Sequence, residues 1–189
     1  MTESFILASS SPRRKKLLHE AGFRFKVVFP IGDEPILPIP PGQLAQQLSL
    51  QKAESIAFQY PNFWILGADT IVALGQKIFG KPHDLDEAEQ FLTQLSGKLH
   101  QVWTGYTLLQ REKKFSCIER TDVSFYPVSQ EQIRHYVNTH RPLDKAGAYG
   151  IQELDSHWIA SIQGSYTNVV GLPMEAVTQT LLQAGIEPV

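Results

Sequence analysis

A single cysteine, Cys117, is all the chain carries, so no intrachain disulfide can form and no cysteine-rich zinc site can be built. One unpaired thiol favours a reducing compartment. No apolar run approaches the roughly 20 residues needed to cross a bilayer. The opening segment, MTESFILASSSPRRKK, has no basic region ahead of its short apolar run and reads as a strand instead of a signal peptide. These absences point to a cytoplasmic protein. A net charge of −2 gives no general attraction to nucleic acid or to anionic lipid. Also missing are internal repeats, low-complexity tracts, GxxxxGK[ST], a strand-linked GxGxxG, HExxH and GxSxG.

What is present suits one domain spanning residues 1–189, with 42% apolar and 19% charged residues. The segment 30–42 carries five prolines and two glycines and reads as an irregular loop. Around it, strands and helices alternate: a strand at 4–8, a helix at 12–21, a strand at 25–29, a helix at 43–60 and a buried strand at 63–68. A hairpin-like stretch over 71–78 and a helix from Asp84 or Asp86 to Gly97 follow. Two long strands, 102–109 and 115–125, are expected to pair around the turn 111–114. A helix over 129–138 has the Ser129/Gln132 capping box, and a last helix covers 174–184. The pattern predicts an α/β fold with a mixed sheet.

Several residues fit poorly in a plain core. Ser9, Ser10 and Ser11 precede Pro12, Arg13 and Arg14 where a strand passes into a helix. Free amides at a helix start, nearby hydroxyls and two guanidinium groups attract phosphate, although a well-capped helix with a solvated basic face explains them as well. Lys52 falls in the middle of the apolar stripe Leu44, Ala45, Leu48, Ala53, Ile56 and Ala57. A lysine there snorkels outward, buries its charge at high cost, or meets an anion. Asp69 follows the apolar run 63–68 and is read as the end of a buried strand, where open α/β sheets bind ligands, with Thr70 beside it. A turn-forming aspartate is the plainer reading. Lys81, in Gly80-Lys81-Pro82, is either a surface residue or held toward Asp69. The stretches 143–152 and 164–173 are punctuated by glycine, which suits close approach to a ligand or simple turns.

Taken in order, Leu7–Arg14, Gly67–Thr70, Gly80–Pro82, Leu95–Gly97, Asp144–Gln152 and Gly164–Pro173 resemble the Maf family of nucleotide pyrophosphatases. The resemblance implies an elongated mixed sheet flanked by helices, with two lobes and a central cleft, similar to inosine triphosphate pyrophosphatase. It implies hydrolysis of nucleoside triphosphates, dTTP and UTP first, to a monophosphate and pyrophosphate with Mg²⁺ or Mn²⁺. Carried over by motif, Asp69 is the proton acceptor, and Ser9, Arg14, Glu34, Lys52 and Lys81 match polar cleft positions. Arg13, Thr70 and Gln152 match positions of the dTTP/UTP branch, and Glu153 stands where the pattern has glycine. Arg14, Lys52 and Lys81 suit the negative charge of a triphosphate, and Asp69 with Glu34 suits a hard cation. Asp69 is open to service as base, metal ligand or both. The expected partner is a nucleoside triphosphate, with no nucleic acid and no membrane; a homodimer is compatible with the chain. Two other readings are a 7-methyl-GTP pyrophosphatase of the sibling branch and a non-catalytic nucleotide-binding regulator of cell division. The latter, if it bound polynucleotides, would do so with steep salt dependence.

Overall fold

The computed structural model describes residues 5–32 and 37–189. Its frame is a mixed sheet of seven strands among these residues. Strand β1 (Phe5–Ala8) leads into helix α1 (Pro12–Glu20), then β2 (Phe25–Val28) and α2 (Pro41–Ala57). Strands β3 (Ile65–Leu74) and β4 (Lys77–Phe79) precede α3 (Leu85–Leu95). The long pair β5 (Leu99–Gln110) and β6 (Lys113–Phe125) is followed by α4 (Gln130–His140), β7 (Ile159–Gln163), α5 (Tyr166–Val170) and α6 (Met174–Gln183).

Local chemistry accounts for the helix starts. Ser11 caps α1 by accepting from the Arg14 amide, with Pro12 at the first helical position. Asp84 caps α3. The Ser129/Gln132 capping box is present at α4, with both reciprocal bonds made. Helix α2 starts two residues earlier than the periodicity predicts, because Pro41 suits a first turn whose amide has no intrahelical partner. The paired long strands form as expected, extended to a two-residue turn with Arg111 in the left-handed region.

The sheet runs β2-β1-β3-β5-β6-β7, with β1 parallel to both β2 and β3 and the remaining neighbours antiparallel. One expectation is corrected here. Asp69 is not at a strand end; β3 continues through Asp69 and Thr70 to Leu74. Strand β5 runs along one edge of β3 from Ile65 to Ala73. On the other edge, β1 pairs only with Ile65–Gly67 and β4 only with Val72–Leu74. Residues 68–71 therefore have no strand neighbour on that side. The opening that sequence reasoning placed beyond a strand terminus is a gap in the sheet, halfway along its central strand.

Helix α2 packs across β3 and β5. A Cβ at Gly67 would lie 2.2 Å from the Ser49 carbonyl oxygen, and one at Gly105 would lie 2.3 Å from backbone atoms of Ala45 and Gln46. Backbone meets backbone at both points, so neither clash can be relieved by a rotamer change. Helices α1 and α6 cover the opposite face around Phe5, Leu7, Leu18, Leu66, Tyr106, Val177 and Leu181. A third cluster joins α3, α4 and the far half of β5 and β6. Within it His100 is fully buried and its Nε2 meets the Tyr149 hydroxyl at 2.8 Å.

Two outcomes follow. Gly67→Ala or Gly105→Ala should destabilise the fold by at least ~2 kcal/mol, as overpacking does, and should lower activity by displacing α2; urea unfolding beside an assay checks both. Burial lowers the His100 pKa from 6.5 to about 4. Between those values the unfolded chain binds a proton that the folded chain refuses, so stability falls as pH drops through that window. At 1.36 kcal/mol per pKa unit, wild type should lose about 2 kcal/mol more than His100→Gln between pH 7.5 and pH 5 in denaturant titrations.

Candidate active site

The gap in the sheet opens into a cavity. Its walls come from the turn after β1 (residues 9–14), from Lys52 on α2, from Asp69, Thr70 and Val72 on β3, and from Lys81 after β4. The segment 144–150 and the C-terminal end of α5 close it. A smaller hollow, lined by residues 29–32, Leu48 and Gln51, adjoins it and shares Ser10, Pro30 and Lys52.

At its floor the Lys52 ammonium lies 2.5 Å from Asp69 Oδ1, with each side chain 10% exposed. Of the three fates open to a lysine in an apolar stripe, the structure shows the third: the anion is a carboxylate of the protein itself. The close approach of α2 at Gly67 sets this contact, because Lys52 lies between Ser49 and Ala53, the residues that touch that glycine. Asp69 is buried where β1 stops. Asp69 follows Gly67 by two residues, so its side chain stands on the same face of β3, the face covered by α2.

Arg14 is also buried and acts as a junction. Its Nε donates to the Gly171 carbonyl at 2.8 Å, Nη1 to Ser9 Oγ at 3.2 Å and Nη2 to Thr70 Oγ1 at 3.0 Å. These three bonds fix the orientation of the guanidinium. Thr70 Oγ1 is also 2.9 Å from Thr104 Oγ1, which fixes the hydroxyl between two strands and the arginine. Ser9 Oγ accepts from the Ser11 amide as well, shaping the turn. Arg13 points to the opposite wall and pairs with Asp144 at 2.9 Å. Lys81 lies at the exposed rim.

The structure thus gathers Ser9, Arg13, Arg14, Lys52, Asp69, Thr70 and Lys81 around one cavity. Gln152 is exposed and is not among the lining residues. Glu34 lies outside the described residues. Sequence reasoning did not single out Asp144, Lys145 or Tyr149 as site groups, although all three line the cavity. The available signal was the Asp144-Lys145 charge pair ahead of Ala-Gly-Ala-Tyr-Gly, a polar doublet entering a small-residue turn. Burial disfavours the charged form of Asp144, but the Lys145 ammonium and the Arg13 guanidinium outweigh it and hold the carboxyl below its usual range.

Among the described residues, no group of three or more His, Cys, Asp or Glu side chains is arranged to hold a metal ion. A divalent cation of the magnesium type does not need such a cage; one or two carboxylates together with substrate phosphates suffice. Asp69, in a polar cavity beside several cations, fits that mode. No helix among the described residues is long and apolar enough to cross a membrane.

An open α/β sheet with a cation-lined cavity at its interrupted central edge defines a class of anion-binding α/β proteins. Residues 4–184 match the family described as Maf-like protein, and the chain belongs to that family. It is 47% identical over 184 residues to a dTTP/UTP pyrophosphatase of Symbiobacterium thermophilum, covering 97% of this chain and 95% of that one. Proteins of the same name from Bacillus cytotoxicus and Carboxydothermus hydrogenoformans are each 44% identical, the first over 96% of this chain and 95% of the relative, the second over 95% and 97%.

Breaking the buried pair from one side leaves a charge without its partner. Lys52→Met should cost about 3 kcal/mol or more at neutral pH. Adding Asp69→Asn should recover at least half of that loss, a coupling that a double-mutant cycle in urea reads directly.

Proposed function

We propose that this protein hydrolyses nucleoside triphosphates, dTTP and UTP ahead of others, between the α and β phosphates to give a monophosphate and pyrophosphate. The observation that carries this reading is the buried Lys52–Asp69 pair at the floor of a cavity ringed by Arg13, Arg14 and Lys81. The names of the relatives support the same chemistry.

In this reading the triphosphate lies along the cations of the cavity, with its α-phosphate nearest Asp69 at the floor. Arg14, fixed by its bonds to Gly171, Ser9 and Thr70, presents its guanidinium to phosphate oxygens. Lys81 neutralises the departing pyrophosphate from the rim. Charge that develops on a leaving group is stabilised most by donors already fixed in place, and the three bonds to Arg14 fix it. Asp69 orients the attacking water and accepts its proton, while Lys52 holds the carboxylate in position and adds positive charge beside the α-phosphate. Ser9 positions Arg14 and the turn around it. A divalent cation held jointly by Asp69, with Glu34 as the second carboxylate, and by substrate phosphates would add charge neutralisation.

Choice of base is assigned to Arg13, Thr70 and Gln152. Arg13 donates to a carbonyl oxygen, Thr70 completes the wall, and the Gln152 amide offers both a donor and an acceptor to the polar edge of uracil or thymine. A site whose polar groups would be left unpaired by the wrong base rejects it.

The test supplies Mg²⁺ or Mn²⁺ and follows UTP, dTTP, CTP, ATP, GTP and 7-methyl-GTP, detecting phosphate and pyrophosphate separately. UTP and dTTP should react fastest, giving monophosphate and pyrophosphate in equal amounts; UDP and orthophosphate as first products would overturn the reading. Asp69→Asn should lower kcat by about a hundredfold or more with the fold intact. Gln152→Leu should erode the base preference more than the best turnover.

A further inference from the structure

Five cations line the cavity, and one of them has no role in the reaction described above. Lys145 is buried, its side chain only 8% exposed, although Asp144 beside it is exposed. Its ammonium is 2.9 Å from Asp144 Oδ1 and 3.3 Å from Glu153 Oε2. Asp144 is shared, because its other oxygen takes Arg13 at 2.9 Å. Glu153 is held in turn by the Tyr136 hydroxyl, which donates to Oε2 at 3.3 Å while accepting from the Gly150 amide at 3.0 Å. His140 Nδ1 stands 3.9 Å from the same oxygen.

The backbone is cut to admit this pair. A Cβ at Gly150 would sit 3.0 Å from Lys145 Cε and 3.1 Å from Glu153 Oε2, tighter than side chains normally tolerate. Gly150 itself lines the cavity, so the Lys145–Glu153 contact lies directly behind its wall. The two carboxylates around Lys145 are 54% and 33% exposed, hence partly hydrated, whereas the ammonium is not. A buried lysine on a cavity wall, neutralised only by carboxylates that water can take over, is arranged to exchange partners. An anion entering the cavity competes for the ammonium, and the carboxylates fall back on solvent, Arg13, Tyr136 and His140.

We propose that Lys145 is a further substrate-binding residue, which passes its charge to a phosphate group of the ligand, and that Glu153 opposes this by competing for the ammonium. The assignment rests on the nucleotide reading for the identity of the substrate, but the chemistry concerns any pyrophosphate-bearing ligand. Glu153 thereby sets affinity from outside the cavity. A purely structural triad would behave differently: removing either partner would lower stability and leave ligand affinity alone.

The experiment titrates inorganic pyrophosphate, with Mg²⁺ present, into the full chain by calorimetry, with thermal melts and UTP turnover alongside. Lys145→Met should raise Kd by about tenfold or more, the scale of a lost hydrogen bond to a charged group. Glu153→Gln should lower Kd several-fold, and Lys145→Met/Glu153→Gln should bind as weakly as Lys145→Met, since the gain requires the lysine. Lys145→Met within twofold of wild type, Glu153→Gln that fails to tighten binding, or a wild type without affinity for pyrophosphate would each overturn the assignment. Should Lys145→Met not fold, the sign of the Glu153→Gln effect decides. A wild type that binds pyrophosphate in this pattern yet leaves UTP intact would contradict the nucleotide reading and uphold Lys145.

Discussion

The contact on which the rest of the site depends is that of helix α2 with the bare backbone of Gly67 and Gly105. Without side chains at those positions the helix sinks onto β3 and β5, and only from that depth does Lys52 reach Asp69 at 2.5 Å. A buried ion pair is a poor source of net stability, because both charges must be stripped of water. Its use here is positional. The ammonium orients a carboxylate in the gap of the sheet, and the packing of α2 holds the lysine at that depth.

The gap itself is a consequence of strand lengths. Strand β1 ends at Ala8 and the antiparallel β4 ends opposite Val72, so the central strand is bared on that edge over four residues that include Asp69 and Thr70. The turn after β1, the rim at Lys81 and the segment 144–150 all converge there. Arg14 ties three pieces of the wall together, bonding to Ser9 beside β1, Thr70 on β3 and Gly171 at the end of α5. A loss at Arg14 therefore removes both a positive charge and the brace that joins the walls, and activity and stability should fall together.

Much of this was legible in the residues. Ser11-Pro12 and the Ser129/Gln132 box mark helix starts because capping is local chemistry, and the stripe on α2 showed Lys52 facing the core because periodicity is local too. The motifs in order gave the family, the mixed sheet and most of the cavity. What failed was non-local. An aspartate is depleted in strands, so Asp69 read as a terminus; the hydrogen bonds that keep β3 extended come from β5, opposite Gly105, a partner distant in sequence. Strand β7 went unread and the short helix α5 fell within the glycine-punctuated stretch 164–173, since each is held by partners elsewhere: β7 by pairing with β6, and α5 through Asn168, whose side-chain amide donates to Val102 and Thr121. The roles of Asp144 and Lys145 were hidden for the same reason, as their meaning lies in Arg13 and Glu153. Gln152 was placed by motif alone; its side chain is exposed and lies outside the residues that line the cavity.

The central claim is that Asp69 directs water to the α-phosphorus while the surrounding cations carry away pyrophosphate. Hydrolysis of UTP in ¹⁸O-labelled water tests it most directly, by mass spectrometry of the products after a single turnover. The account predicts one labelled oxygen in UMP and none in pyrophosphate. Label in pyrophosphate would place the attack at the β-phosphorus and contradict the assignment of leaving group, water and base.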